Sequence, residues 1–164
     1  VSGNYDTIIA GMSITAERDE VIDFTQDYFP PSPSVYMGLS GSDIDLDGGV
    51  IAAQTATIQA GYVAESGATL VEFASAEETI SAVQNGEADA VLADGDYLLP
   101  IIAESNGEFA AMGEVSIGGG VGMGIRESDG DLKAKMDKAI SSMKDDGSLN
   151  ALIKKWFGAE ANTF

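Results

Sequence analysis

The chain has 164 residues, 45% of them hydrophobic and 21% charged, a balance that belongs to a globular protein about one average domain long and rules out a mostly disordered one. It holds neither cysteine nor histidine. That excludes disulfides, Cys- or His-ligated metals, Ser-His-Asp and Cys-His catalysis, and the usual proton shuttle near neutral pH.

The formal net charge of −19 is unevenly spread: residues 1 to 125 carry 20 Asp or Glu against a single cation, Arg18, whereas residues 126 to 164 carry seven of each sign. Such a surface repels phosphate backbones and anionic lipid heads, which argues against nucleic-acid and membrane-surface partners. No apolar run approaches the roughly 18 residues of a membrane span. A saline habitat would account for the acidity, but composition does no more than permit that reading. The chain opens without Met, a basic segment or an apolar leader, and its first apolar run starts almost at once, so the expectation is a processed or excised fragment.

Taken in order, residues 5 to 14 and 21 to 29 read as strand segments around a short helix near Thr15 to Glu20. Pro30, Pro31 and Pro33 then favour an extended segment into Ser34 to Leu39. From residue 49 strands and helices alternate. Gly49 to Gln54 is a buried strand, Thr57 to Ser66 a helix with Gly67 as its C′ residue, and Ala68 to Phe73 the next strand. Ser75 and Glu78 form a capping box for a helix that Gly86 ends. Ala88 to Ala93 is a further buried strand, followed by a helix from Tyr97 to Ser105. Alternation of this kind calls for parallel strands with right-handed crossovers.

Five glycines between Gly118 and Gly124 punctuate the chain again. They miss the G-x-G-x-x-G spacing of a phosphate cradle, so a hinge or a close backbone approach is expected. Beyond them Leu132, Met136, Ala139, Ile140 and Met143 make an apolar helical stripe stopped by Gly147. Ser148 is expected to cap a last helix carrying Leu149, Leu152, Ile153, Trp156 and Phe157, closed by Gly158. An α/β unit bounded by two flexible crossings suggests two lobes joined by a two-segment hinge.

Two motifs imitate known chemistry. Asp43-Ile44-Asp45-Leu46-Asp47-Gly48 starts like a calcium loop, but position 12 is Gln54 instead of a bidentate Glu, so an acidic exposed turn is the better reading. Ser141-Ser142-Met143-Lys144 matches S-x-x-K, yet its partner motifs are missing and a Lys in the last turn suits the helix dipole.

Three other positions carry a sharper message. Arg18 stands alone across 125 residues, just after the small-residue stretch Gly11-Met12-Ser13-Ile14-Thr15; a guanidinium fork there can grip a carboxylate by two bonds, against the plainer reading of an ion pair with Asp19 or Glu20. Thr57 sits at a strand-to-helix turn, where the helix start suits an anion or where Thr is simply an N-cap. Asp94 ends a buried strand at the edge where α/β proteins bind ligands, or caps the next helix with Asp96. A site with both signs of charge suits a small zwitterion.

The chain resembles the extracytoplasmic solute-binding proteins of ABC importers, in the polar amino-acid-binding family with the type II periplasmic binding protein fold. The resemblance rests on Tyr5-Asp6-Thr7-Ile8-Ile9-Ala10-Gly11-Met12-Ser13-Ile14-Thr15-Ala16-Glu17-Arg18, continuing through Val21-Ile22-Asp23-Phe24-Thr25. It rests also on the turn Gln54-Thr55-Ala56-Thr57, on Asn85 to Asp94, and on Asp146-Gly147-Ser148 through Lys155-Trp156-Phe157-Gly158. It implies two three-layer α/β lobes with a two-segment hinge: residues 1–31 and 116–164 as the remainder of an incomplete lobe 1, and 32–115 as lobe 2.

By position, Arg18 would hold the α-carboxylate of an amino acid bound between the lobes, helped by the Ser13 backbone N–H and the Thr57 turn. Asp94, the Ser13 hydroxyl and the Gly11 carbonyl would hold its ammonium. Ala56 and Ile58 stand where the family has Gly and a second Thr, which leaves only a backbone donor at Ile58. The implied function is non-enzymatic: binding of a polar amino acid and its delivery to the membrane permease of an ABC importer, with no cofactor or metal. The implied location is periplasmic or extracellular, with or without a lipid anchor ahead of residue 1, and the uncovered edge of lobe 1 invites self-association. A cyclohexadienyl-dehydratase-like enzyme and the ectodomain of a sensor share this fold and stay open as alternatives.

Overall fold

The computed structural model describes residues 4–159 and 161–164; Val1–Gly3 and Glu160, inside the expected segments 1–31 and 116–164, lie outside the described residues. The chain divides into two compact units, one of Val1–Pro31 with Gly118–Phe164 and one of Ser32–Ile117.

The second unit is a five-stranded sheet with helices on both faces. Its strands are β3 (Ser34–Leu39), β4 (Val50–Gln54), β5 (Thr69–Phe73), β6 (Ala90–Asp94) and β7 (Phe109–Val115), in the order β5-β4-β6-β3-β7. β4 pairs parallel with β5 and β6, as the alternation requires, through the crossover helices α2 (Ile58–Glu65) and α3 (Ala76–Gln84). β3 instead runs antiparallel to β6 and β7, so the sheet is mixed.

The period-2 alternation of strand side chains sorts the core. Val35, Met37, Ala52 and Val91 pack with Ala82 and Val83 of α3 and Leu98 of α4 (Gly95–Glu104). Tyr36, Ile51, Ala90 and Leu92 pack on the other face with Val63 of α2 and with Ile44 and Leu46. The capping box of Ser75 and Glu78 forms as expected, and α3 ends at the cap Asn85, just before Gly86.

The first unit holds β1 (Thr7–Ile8), β2 (Asp23–Phe24) and β8 (Gly124–Ile125) as an antiparallel sheet in the order β1-β8-β2. It also holds α1 (Ala16–Asp19), α5 (Gly130–Asp145) and α6 (Ser148–Phe157). Ile140 of α5 and Leu149 and Ile153 of α6 pack on Phe29, with Val121 and Met123 beside them.

Several expectations need correction. The strand expected over 5–14 survives only as β1, because Gly11 turns left-handed (φ 59°) and pairing resumes as an isolated bridge between Ser13 and Val121. The segment 21–29 likewise keeps only β2 and a bridge from Phe29 to Val121, and the last turn of α1 carries on through Val21 and Ile22, whose N–H groups reach the Arg18 carbonyl. β7 was not expected at all. Gly67 does follow the cap Ser66 of α2, but it is not left-handed; it is required because a Cβ there would meet the Asp47 carbonyl oxygen at 2.6 Å. The glycine run is a close approach: a Cβ on Gly120 would lie 2.7 Å from the Phe29 carbonyl oxygen. Ser148 is the first residue of α6 and not its cap. Gly147 holds the cap position in the left-handed region (φ 76°), and the Asp146 carboxylate accepts the Ser148 N–H at 2.8 Å.

Candidate functional site

In the first unit, the pairing that follows Gly11 determines what the small-residue stretch presents. Around the Ser13–Val121 bridge the bonds are made by the neighbours, Ile14 N–H to the Gly120 carbonyl (2.9 Å) and Gly122 N–H to the Met12 carbonyl (3.2 Å). The Ser13 N–H and carbonyl therefore point away from that partner strand. The carbonyl accepts the Arg18 Nη1 at 2.9 Å. Thr15 caps α1, its hydroxyl accepting the Arg18 N–H at 3.2 Å. A short capped turn thus presents Arg18 toward the Ser13 backbone, and the anchored guanidinium is held as a planar fork beside an N–H that this strand pairing leaves unused. Sequence reasoning passed over Tyr28. Burial raises the pKa of its hydroxyl, and a hydrogen bond from the Gly11 backbone opposes the rise.

In the second unit, Thr57 is the N-cap of α2. Its hydroxyl accepts the Ala60 N–H at 3.2 Å and donates to the Gln54 carbonyl at 2.6 Å. With its proton already directed at Gln54, that hydroxyl is not a donor for an anion. The donors this turn can offer are backbone N–H groups of the first helical turn, beginning at Ile58. Ala56, just ahead, is held at φ 63°, in the left-handed region that disfavours a side chain.

Asp94 ends β6 at the N-cap position of α4 but makes no side-chain capping bond. Its Oδ1 instead accepts the Gln59 Nε2 at 2.7 Å, and the same Gln59 nitrogen lies 3.0 Å from the Ser34 hydroxyl oxygen. Although Asp94 as a residue is open to solvent, protein atoms crowd its carboxyl group. Burial raises its pKa above the ordinary aspartate value, the Gln59 bond opposes that, and the nearby charge of Asp96 adds to it. Gln59 and Ser34 are both buried. Neither could be singled out in the sequence, where a Gln in a first helical turn reads as solvated.

The decoy motifs resolve into structural roles. In the acidic turn, Ile44 and Leu46 pack on the sheet while Asp45 accepts the Asp47 N–H at 3.1 Å. Ser141 accepts the Gln26 Nε2 at 2.7 Å, and Lys144 pairs with Asp27 at 2.7 Å. Among the described residues no group of three acidic side chains is placed to hold a metal, and no helix is long and apolar enough to cross a membrane.

The model of the bacterial extracellular solute-binding proteins, family 3, matches residues 1–159. A periplasmic His/Glu/Gln/Arg/opine family-binding protein from Silicibacter pomeroyi, solved in complex with lysine, is 68% identical with a TM-score of 0.94, over 99% of this chain and 74% of that one. The putative ABC transporter arginine-binding protein 2 of Escherichia coli (strain K12) is 26% identical over 93% of this chain and 66% of its own length. The glutamine-binding protein GlnH of Bacillus subtilis (strain 168) is 26% identical over 94% of this chain and 59% of its own. This chain therefore spans less than two thirds of the curated relatives it matches, and its fold is that of type II periplasmic binding proteins.

Proposed function

The chain belongs to the bacterial extracellular solute-binding proteins of family 3, and from that premise we propose that it binds a polar amino acid outside the cytoplasmic membrane and delivers it to the permease of an ABC importer. The observation that carries the reading is the 68% identity with a protein solved with lysine bound. The chemistry of each unit supports it. In the first, Arg18 and the Ser13 N–H suit a carboxylate, and the Ser13 hydroxyl and the Gly11 carbonyl suit an ammonium; in the second, the α2 start at Thr57 and Ile58 suits a carboxylate and Asp94 suits an ammonium. Residues 32–117 hold 14 acids and no base, a field that favours an amino acid with a cationic side chain such as lysine.

Thermal unfolding of the protein against the common amino acids tests the proposal. A ligand present at 100 times its Kd stabilises by about 2.7 kcal/mol, so L-lysine or L-arginine should raise Tm clearly and acidic amino acids should not. No shift with any polar amino acid would overturn it. We place the protein as a binder and not a catalyst, a placement that turnover of prephenate or arogenate would refute. We further propose self-association through the first unit, where Tyr5, Ile8, Ile9 and Val21 are exposed and β1 lies at an edge of the sheet; light scattering that shows only monomer would exclude it.

A further inference from the structure

Asp94 and Ser34 are register partners where β6 ends and β3 begins, and the first turn of α2 places the Gln59 amide across both. A carboxylate can only accept, so the amide must turn its nitrogen to Asp94. That nitrogen's two hydrogens then divide between the Asp94 Oδ1 at 2.7 Å and the Ser34 oxygen at 3.0 Å. Gln59 is 5% exposed and Ser34 1%, so neither group can exchange its partner for water without opening the core. We propose that Gln59 is a positioning residue for ammonium recognition: it fixes Oδ1 of Asp94, sets the plane of the carboxylate, and leaves Oδ2 as the oxygen that meets the ligand.

The inference rests on the amino-acid-binding reading and adds to it how the carboxylate stays ionised. The charge of Asp96, on the first turn of α4, disfavours ionisation of Asp94 as burial does. The groups that α2 and β3 bring to Asp94, Gln59 and Ser34, are uncharged. The amide is therefore the element that counters both influences.

The test uses Gln59→Met, which keeps length and burial and removes the donor. In the ligand-free protein, the Asp94 carboxyl followed by carbon NMR should titrate at a higher pH than in wild type. Calorimetric titration with L-lysine should show the acid limb of the affinity profile displaced upward by the same amount, with affinity falling about tenfold per pH unit below the new midpoint. Gln59→Glu sets a second carboxyl beside Asp94 and should move the midpoint further in the same direction. Ser34→Ala, which leaves the Gln59–Asp94 bond in place, should move neither quantity. A residue that served only packing would weaken affinity equally at all pH, and an unmoved Asp94 midpoint in Gln59→Met and Gln59→Glu would overturn the proposal. Wild-type protein that takes up no amino acid would instead overturn the binding reading, and the ligand-free titration would still decide the role of Gln59.

Discussion

Ala56→Gly should make the protein more stable. An L residue in the left-handed region costs about 1–2 kcal/mol, and Ala56 is held there at φ 63° between β4 and α2. Its methyl group is exposed, so glycine forfeits little packing. What glycine does lose is conformational entropy on folding, about 0.4–1 kcal/mol by the usual Gly–Ala comparison. The difference leaves a net gain on the order of 0.5–1 kcal/mol. For a unit of this size about 1 kcal/mol moves Tm by roughly 4–8 °C, so a rise of about 2–8 °C is expected in a melt followed by circular dichroism. Ala56→Val should move Tm the other way, because a β-branched side chain fits the left-handed region worse still. The cap at Thr57 is untouched by either change, so the helix signal should persist in both variants. An unchanged or lower Tm in Ala56→Gly would refute the reasoning.

Arg18→Lys replaces a planar fork by a point charge and should weaken L-lysine binding by about 2–5 kcal/mol, roughly 30-fold or more, as when one partner of a desolvated ion pair is lost; near-normal affinity in a calorimetric titration would remove Arg18 from the carboxylate site. Asp94→Asn should abolish the preference for ligands that carry an α-ammonium, whereas equal losses for des-amino analogues would reduce Asp94 to a scaffold residue. The same substitution should stabilise the ligand-free protein. A carboxyl whose folded-state pKa is raised binds protons more readily folded than unfolded, so stability falls as pH rises through the window from the ordinary aspartate value to the raised one, and the amide does not suffer that loss. A melt in which Asp94→Asn is no more stable than wild type above that window would contradict the sign. Raising NaCl should raise Tm and promote self-association while weakening L-lysine binding, since one screening effect relieves the repulsion and dulls the attraction; affinity that grows with salt would exclude an electrostatic preference for cationic ligands.

The alternation of residues 50 to 94 was legible because β4 and β6 are continuous apolar runs and the crossover helices α2 and α3 carry side-chain caps at the start. β7 was not, for a local reason. It lies at the edge of the sheet, and Ala110, Ala111 and Gly113 blunt the alternation by which an edge strand is recognised. The left-handed pair Asn106-Gly107, directly after the cap of α4, was the usable signal that a chain reversal precedes it. Arg18 and Asp94 stand out in the sequence as candidates because one is a solitary cation and the other ends a buried strand. What holds each in place, the Ser13 carbonyl and the Gln59 amide, depends on pairings across strands and helices that spacing along the chain does not encode.

The uneven charge has a structural counterpart. Among the described residues of the first unit, the ion pairs Arg126–Asp6, Lys133–Asp23 and Lys144–Asp27 tie its late segment to its early one. These two segments are separated in sequence by the whole of the other unit, so their pairing must close a long loop, and opposite charges and apolar contacts at α5 and α6 both favour that closure. The second unit, with no base of its own, can form no internal ion pair. Its cohesion comes from the two apolar faces of the sheet, and each of its carboxylates adds to a field of one sign. That field makes a crowded carboxylate such as Asp94 harder to ionise. It also makes the same carboxylate more attractive to a cation once ionised, and the neutral Gln59 donor, unlike a lysine, favours the charged form of Asp94 without neutralising that field.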